Sequence, residues 1–327
     1  VPELPEVEVV RAGLEPAVTG AVITGVEVFD QRSLKRHSAL EGPFEGLLEG
    51  RRMLAAGRRG KFLWFPLSDR VSDRDGVGAP HPQALVTHLG MSGQVLLRTP
   101  GVEEDGLLRI RLHIEHPERG EFWVNFVDQR IFGSMAVDRL LPTPDGLDGG
   151  YFGFAAQLGL EPAGDAWRAA VPAQVAHIAR DPLDPAFDDD AFFAALGRKK
   201  TGIKRALLDQ TLISGVGNIY ADESLWAARV HYEYPSDRLS RPRARVLLAE
   251  VRIVLEKALA EGGTSFSSTY VNVNGASGYF SHSLNAYGQE GQPCPRCGTP
   301  IKREQFMNRS SYFCPHDQRP YRPRAPR

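Results

Sequence analysis

Cysteine is scarce in this chain: there are 3 in 327 residues, at positions 294, 297 and 314. So few thiols, odd in number and gathered at one end, exclude a disulfide framework and point to metal binding. Long apolar runs are missing as well, with nothing near the ~18 residues of a membrane span. The opening residues carry Glu3, Glu6 and Glu8 and are too acidic for a secretory leader. The expectation is a cytoplasmic protein without membrane association. Neither sign of charge is in excess: 39 Lys and Arg stand against 40 Asp and Glu, for a net charge of -1. That excludes a uniformly basic nucleic-acid binder. The charge is unevenly spread, however. RSLKRH (32–37), GRRM (50–53), GRRGK (57–61) and the tail QRPYRPRAPR (318–327) are basic, while DPLDPAFDDD (181–190) is acidic. A local positive face is enough to steer a polyanion.

What the chain does contain is an ordinary globular balance, 42% hydrophobic and 24% charged, with length for two or three domains. In VPELPEVEVVRAGL the apolar positions Val7, Val10 and Leu14 recur at helical spacing, so a helix is predicted from about Pro5. Pro5 suits an early helical position, and Glu6 and Glu8 suit a first turn. Short alternating runs follow at 21–30, 60–67, 83–90, 93–98, 107–115 and 120–128, broken by glycine-rich turns. They predict an antiparallel sandwich or barrel rather than repeated βαβ units. Residues 68–82 read as a polar surface loop. After a Pro, Gly and Asp-rich stretch at 141–150 the pattern turns helical, at 190–197, 201–212, 218–230 and about 241–260. A small cysteine module with hairpin periodicity comes last. The expected fold is multidomain α+β: a β-domain over 1–140, a linker over 141–160, a helical domain over 161–284, a zinc-finger-like module over 285–319 and a basic tail over 320–327.

Several motifs carry chemistry. CPRC places Cys294 and Cys297 as a knuckle, and Cys314 follows after sixteen intervening residues. A four-cysteine ribbon would continue CPxC, but the chain reads CPHDQ, so Asp317 stands at the fourth position with His316 as the alternative ligand. Zinc accepts imidazole and carboxylate as well as thiolate, though the harder oxygen should bind it less tightly. HLGMSG (88–93) sets Met91 in a tight turn, and VDQRIFG (127–133) offers Arg130 and Phe132 together. Either segment suits an apolar wedge that fills a gap in opened duplex. Each also has a plain reading, as surface arginine and packed apolar residues. SGVGN (214–218) is a close turn whose amides and Asn218 suit a phosphate, or simply small residues for helix packing.

Taken in order, PELPEVE, GRRGK, HLGMSG, DQRIFG, LLDQTLISGVGNIYADE, the GGTSF to GYF stretch and the terminal knuckles resemble formamidopyrimidine-DNA glycosylase over nearly the whole chain. The opening PELPEVE fits this branch better than the related endonuclease VIII branch, which typically opens PEGPE. The resemblance implies an N-terminal β-sandwich with its own helix, a helix-two-turn-helix domain and a zinc-finger hairpin. It implies a bifunctional glycosylase and AP lyase that excises oxidised purines from duplex DNA, acts as a monomer and holds one structural zinc. It further implies Pro2 as the nucleophile and Glu3 as the acid and proton shuttle. Glu6 matches a second carboxylate near the amine, Lys61 a backbone contact and proton donor, and Arg309 the finger arginine that clamps phosphate. Met91, Arg130 and Phe132 match the gap-filling residues; Lys204, Gly217 and Asn218 match residues at the lesion and its phosphate. Departures from the pattern are Asp317 for the fourth cysteine, Gln129 and Ile131 in the DQRIFG loop, and LLRIRLH (107–113), which lacks a DNA-contacting histidine at the usual place.

A proline nucleophile is chemically reasonable only as a free secondary amine. An α-amine titrates near ~8, so a neutral fraction is present at physiological pH. The printed chain places Val1 before Pro2. The expectation is that Val1 represents an alternative start codon, read as methionine in the cell and removed. The same wedges and finger would also serve a non-catalytic damage sensor, or a relative that prefers oxidised pyrimidines.

Overall fold

The computed structural model describes residues 2–68, 82–101, 105–153, 165–263 and 283–323. Val1, most of the 68–82 loop, most of the GGTSF to GYF stretch and the end of the basic tail lie outside the described residues. The described residues divide into two compact units at His177 and Ile178.

In the first unit, helix α1 (Leu4–Val18) begins where the sequence predicts. Pro5 has no amide to leave unbonded, and the Glu6 carboxylate accepts the backbone N–H of Glu3 at 2.8 Å. Eight strands form two antiparallel sheets with a ninth on an edge. The first has the order β1 (Val22–Val28), β6 (Leu108–His116), β7 (Gly120–Asp128) and β5 (Gly93–Arg98). The second runs β2 (Gly57–Arg59), β3 (Phe62–Leu67), β4 (Gln83–His88), β8 (Ser134–Pro142) and β9 (Ala170–Pro172). Alternate residues of both sheets, among them Ile110, Leu112, Val124, Leu63, Phe65 and Val137, share one core with Val7, Val10, Leu14 and Val18 of α1. This is the sandwich that the alternation predicts. Helix α2 (Phe44–Leu48) adds Phe44 and Leu48.

Three strands of the second sheet, β2, β8 and the three-residue β9, were not legible from periodicity. β2 is three residues of Gly and Arg, and β8 reads SMAVDRLLP without clean alternation. The unit also extends past the composition shift at 141–150, because Ala170–Pro172 pairs with Leu140–Pro142.

The charged strand β2 is buried because α1 supplies its partners. Arg58, 1% exposed, donates from Nε to Glu8 Oε2 at 2.7 Å. Glu8 also receives Arg11, which reaches Glu15 at 2.9 Å and the Ala56 carbonyl at 3.2 Å. Both guanidiniums lie over the ring of Tyr151.

The second unit contains α3 (Asp189–Arg198), α4 (Ile203–Leu207), α5 (Asn218–Ala227), α6 (Arg241–Ala260) and a hairpin of β10 (Lys302–Phe306) and β11 (Arg309–Phe313). The predicted helix over 201–212 stops at Leu207. There Asp209 bonds to the backbone N–H and hydroxyl of Thr211 and turns the chain. α5 is buried over Asn218–Leu225 and so shows no amphipathic stripe. Among the described residues no helix is long and apolar enough to cross a membrane.

The Glu8–Arg58 contact fixes α1 to the sheet. Replacing Arg58 by Ala leaves Glu8 with Arg11 as its remaining partner and is expected to destabilise the unit by ~1.5–3 kcal/mol, the loss of a buried charge-assisted hydrogen bond. Urea unfolding followed by tryptophan fluorescence checks this; a loss under ~1 kcal/mol would show the pair to be dispensable.

Candidate nucleic-acid interface and metal centre

At the start of α1, Pro2 is buried, and Glu3 and Glu6 are each 3% exposed. Two carboxylates thus sit within four residues of the Pro2 nitrogen, in a setting largely closed to water. Lys61 occupies the two-residue turn between β2 and β3, where Arg59 pairs with Phe62. Gly60 takes φ +56° in that turn, a conformation that suits glycine.

Lys61 has basic company that the motifs do not announce. His88, at the end of β4, packs against Phe62 with the rings tilted by 55° and their centroids 4.7 Å apart, and Arg36 lies over the same Phe62 ring. Burial, together with the charges of Arg36, Lys61 and Lys35, pushes the His88 imidazole down to about 4. It is neutral at physiological pH, and its Nδ1 accepts the Gly90 N–H at 3.1 Å. The signal for this cluster lay in plain view as RSLKRH and the His of HLGMSG. Nothing local joined them, because β4 and the 32–37 segment meet only through the fold.

The wedge residues are exposed, Met91 at 43% and Phe132 at 50%, and Arg130 is exposed beside them. One carboxylate ties their two loops together. Asp128, fully buried, accepts the Ser92 hydroxyl at 2.6 Å, the Arg130 N–H at 3.1 Å and the Gly133 N–H at 2.7 Å. The loops also abut at Gly90: at φ +63° a Cβ there would lie 2.4 Å from the carbonyl carbon of Phe132. Lys35 donates to the Ile131 carbonyl at 2.7 Å and braces the outer loop.

In the second unit the 214–218 turn is used more by the protein than the sequence suggested. The Ser214 N–H donates to the Arg180 carbonyl and the Gly215 N–H to Gln210 Oε1. These two amides therefore do not face a ligand. Gly217 caps α5 without a side-chain bond, and Asn218 opens the helix, 7% exposed. Asn218 Nδ2 donates to the Ser310 carbonyl at 3.1 Å, while its Oδ1 is buried without a hydrogen-bond partner.

Lys204 lies in the interior of the second unit. It is 0% exposed, with its ammonium 2.7 Å from Asp222, 2.7 Å from the Ser311 hydroxyl and 3.1 Å from the Ser310 carbonyl. It supports the hairpin from below. Arg309, on the rim of that hairpin, follows the turn at Met307 and Asn308 and is exposed. Lys204 and Asn218 thus converge on Ser310, the neighbour of Arg309.

The predicted metal ligands assemble. Donor atoms of Cys294, Cys297, Cys314 and Asp317 all lie within 4.8 Å of one another. The Cys297 and Cys314 sulfurs are 3.5 Å apart, close to the ~3.8 Å that tetrahedral zinc with bonds of ~2.3 Å imposes. The donor set fits zinc. Burial disfavours the Cys294 thiolate, but the Trp226 indole N–H at 3.4 Å and backbone amides outweigh it and bring the thiol down to about 7. For Asp317 burial again opposes ionisation. Bonding to His316 and the charges of Arg296 and Arg229 overcome it and hold the carboxyl below its ordinary range. Arg296 pairs with it at 3.0 Å, so His316 is a neighbour of the ligand set rather than a member of the cluster.

Three outcomes follow from this geometry. His88 binds a proton more readily in the unfolded chain than in the fold, so its contribution to stability is present above about pH 6.5 and is lost as pH falls toward 4. His88→Gln should flatten that stretch of a pH–stability curve measured by denaturant unfolding; an unchanged slope refutes the buried neutral state. Asp317→Cys should retain zinc against a chelator at concentrations that strip the parent protein, and Asp317→Ala should lose it sooner, read by a colorimetric zinc assay. Asp128→Ala should lower affinity for abasic duplex at least about tenfold (~1.4 kcal/mol) by releasing both wedge loops. Equal binding by anisotropy would remove Asp128 from that role.

Comparison with known proteins agrees along the chain. Residues 1–135 match the formamidopyrimidine-DNA glycosylase N-terminal domain, 178–269 its H2TH domain, and 291–320 a zinc finger found in FPG and IleRS. A formamidopyrimidine-DNA glycosylase of Leifsonia xyli subsp. xyli is 67% identical over 97% of this chain and 99% of its own length. A Lactococcus lactis FPG mutant solved with Fapy-dG containing DNA superposes with a TM-score of 0.73 at 27% identity, covering 97% of this chain and 100% of that one. The Lactococcus lactis Fpg with abasic-site DNA gives a TM-score of 0.72 at 27% identity, over 97% and 99%. With its sandwich, its buried α5 and its finger of three cysteines and an aspartate, this chain belongs to the formamidopyrimidine-DNA glycosylase family.

Proposed function

We propose that this protein is a bifunctional DNA glycosylase and AP lyase that removes oxidised purines, 8-oxoguanine and formamidopyrimidines, from duplex DNA. It acts as a monomer in the cytoplasm, on the nucleoid. The observation that carries the reading is the pair of buried carboxylates, Glu3 and Glu6, beside Pro2 at the start of α1. A carboxyl beside the nucleophile can pass a proton to the departing base and take one back later. Glu6, bonded to the Glu3 amide, fixes the chain around the nucleophile.

The Pro2 nitrogen, as a free amine, attacks C1′ and displaces the base, which leaves with a proton from Glu3. The prolyl nitrogen then returns its proton to Glu3, which passes it to O4′ as the C1′–O4′ bond breaks, leaving an iminium at C1′. Withdrawal of electrons by the iminium acidifies C2′–H; its loss expels the 3′ phosphate. A second elimination expels the 5′ phosphate and leaves a one-nucleotide gap with phosphate at both ends. Lys61 and Arg309 place positive charge where these phosphates depart. Reaching C1′ requires the nucleotide to leave the stack, at a cost of a few kcal/mol. Met91, Arg130 and Phe132 offset that cost by filling the vacancy. Lys204 acts through Ser310, holding the Arg309 turn at height. Zinc, when bound by Cys294, Cys297, Cys314 and Asp317, supplies structure only, cross-linking a module with little core of its own.

Borohydride reduction in the presence of abasic duplex should give a stable protein–DNA adduct. Pro2→Gly should reduce the adduct at least about 100-fold, and Glu3→Gln should spare trapping on abasic DNA while abolishing release of 8-oxoguanine. If the parent protein, shown by intact mass to begin at Pro2, gives no adduct, the lyase reading fails and a damage sensor replaces it.

A further inference from the structure

Outside the parts already described, the second unit has a recess of about 810 Å³ at the end of the finger. Its wall carries Arg229, Arg238, Arg243, Arg319 and Arg322, against the single carboxylate Asp317. That carboxylate is committed to Arg296 and to the metal cluster. Among the described residues Arg229, Arg243, Arg319 and Arg322 have no carboxylate at ion-pair distance, and all are exposed. In a chain of net charge -1 this is a marked local excess.

The recess is built, not a loose tail laid on a surface. Gln318, fully buried, accepts the Cys314 N–H at 2.8 Å and donates to the Val230 carbonyl at 2.9 Å, which pins the chain leaving the finger to the end of α5. Tyr321 packs edge-on against Tyr234 with centroids 5.1 Å apart, and Arg243 from the first turn of α6 lies 4.7 Å over the Tyr234 ring. Arg229 stands in the left-handed region at φ +54°, just after α5. Guanidiniums held this way repel one another and are weakly hydrated, and their planar forks match phosphate oxygens in pairs.

We infer that this recess is an accessory phosphate-binding site that grips the phosphodiester backbone of DNA outside the nucleotides facing Pro2. The inference rests on the DNA-repair reading above, which makes a long phosphodiester polyanion the substrate. It adds a contact that is sequence-independent and salt-sensitive, and it places a role on tail residues that the catalytic chemistry does not use. Two such contacts change the slope of log K against log salt by about 1.8.

The test is the salt dependence of binding to a fluorescein-labelled, lesion-free 40-base-pair duplex, followed by anisotropy. R319A/R322A should lower the slope by about 1.8, and R229A/R243A, from the α5 end and the α6 start, should do the same. R319K/R322K should keep most of it. R119A/R139A, which removes equal charge from the first unit, should leave it unchanged. Borohydride trapping on a 12-base-pair abasic duplex at saturating protein should proceed at the parent rate in all four. Zinc content is measured on each variant, and a loss confined to R319A/R322A leaves R229A/R243A to decide. An unchanged slope in R229A/R243A overturns the inference, as does a fall matched by R119A/R139A. Binding of tripolyphosphate that depends on these arginines, with an unaltered DNA slope, would reassign the recess to a free polyphosphate. Absent trapping with intact slopes would instead overturn the lyase reading alone.

Discussion

Buried carboxylates that accept backbone N–H groups from a neighbouring segment hold the working parts of this protein in place. Glu6 takes the amide of Glu3 beside Pro2. Asp128 takes those of Arg130 and Gly133 and binds the two wedge loops into one body. On α5, Asp222 takes the Tyr312 amide at 3.0 Å and Glu223 takes those of Asn285, Ala286 and Tyr287 at 2.8–2.9 Å. A carboxylate offers several lone pairs, so one side chain can satisfy the amides of a loop that has no secondary structure to do so. The alternative, unpaired amides in the interior, would cost ~1–3 kcal/mol each.

The charge left by this arrangement is handled differently in the two units. Around Glu8 the answer is a pair of arginines stacked on Tyr151, which are weakly hydrated and give up little on burial. Around Asp222 the answer is a single lysine at 2.7 Å. There burial outweighs the attraction of Lys204 and raises the Asp222 carboxyl to about 7. A buried ion pair of this kind is weak as a source of stability but strict in geometry. Here strictness is what matters: the pair fixes β11 on α5, and with it the height of the Arg309 turn.

The finger continues the same theme with a metal as the central charge. Its cluster of Cys294, Ile301 and Cys314 packs on Trp226 and Tyr312, so the module borrows its core from α5. Arg296, over the Trp226 ring at 3.9 Å, reaches Asp317 and two carbonyls at the end of α5. The carboxylate that replaces the fourth thiolate is therefore also a structural ligand to arginine. Beyond it the tail folds back through Gln318, and the arginine-rich recess lies where finger, α5 end and α6 start converge.

The amino-acid sequence alone determined whatever depends on neighbours along the chain. Strands at 93–98 and 120–128 and the helix at 241–260 were legible because the side chains that face a core recur with the period of the element. So were the helix start at Pro5 and the knuckle at Cys294 and Cys297, whereas the sequence left open whether Met91 and Phe132 are packed or exposed. The tertiary structure alone decided what depends on residues far apart. It made Lys204 an interior prop, gave β2 its carboxylate from α1, used the Ser214 and Gly215 amides internally, and gathered Arg36, Lys61 and His88. A charge has no period, and whether it meets solvent, a partner or a ligand is set by which distant segment packs beside it.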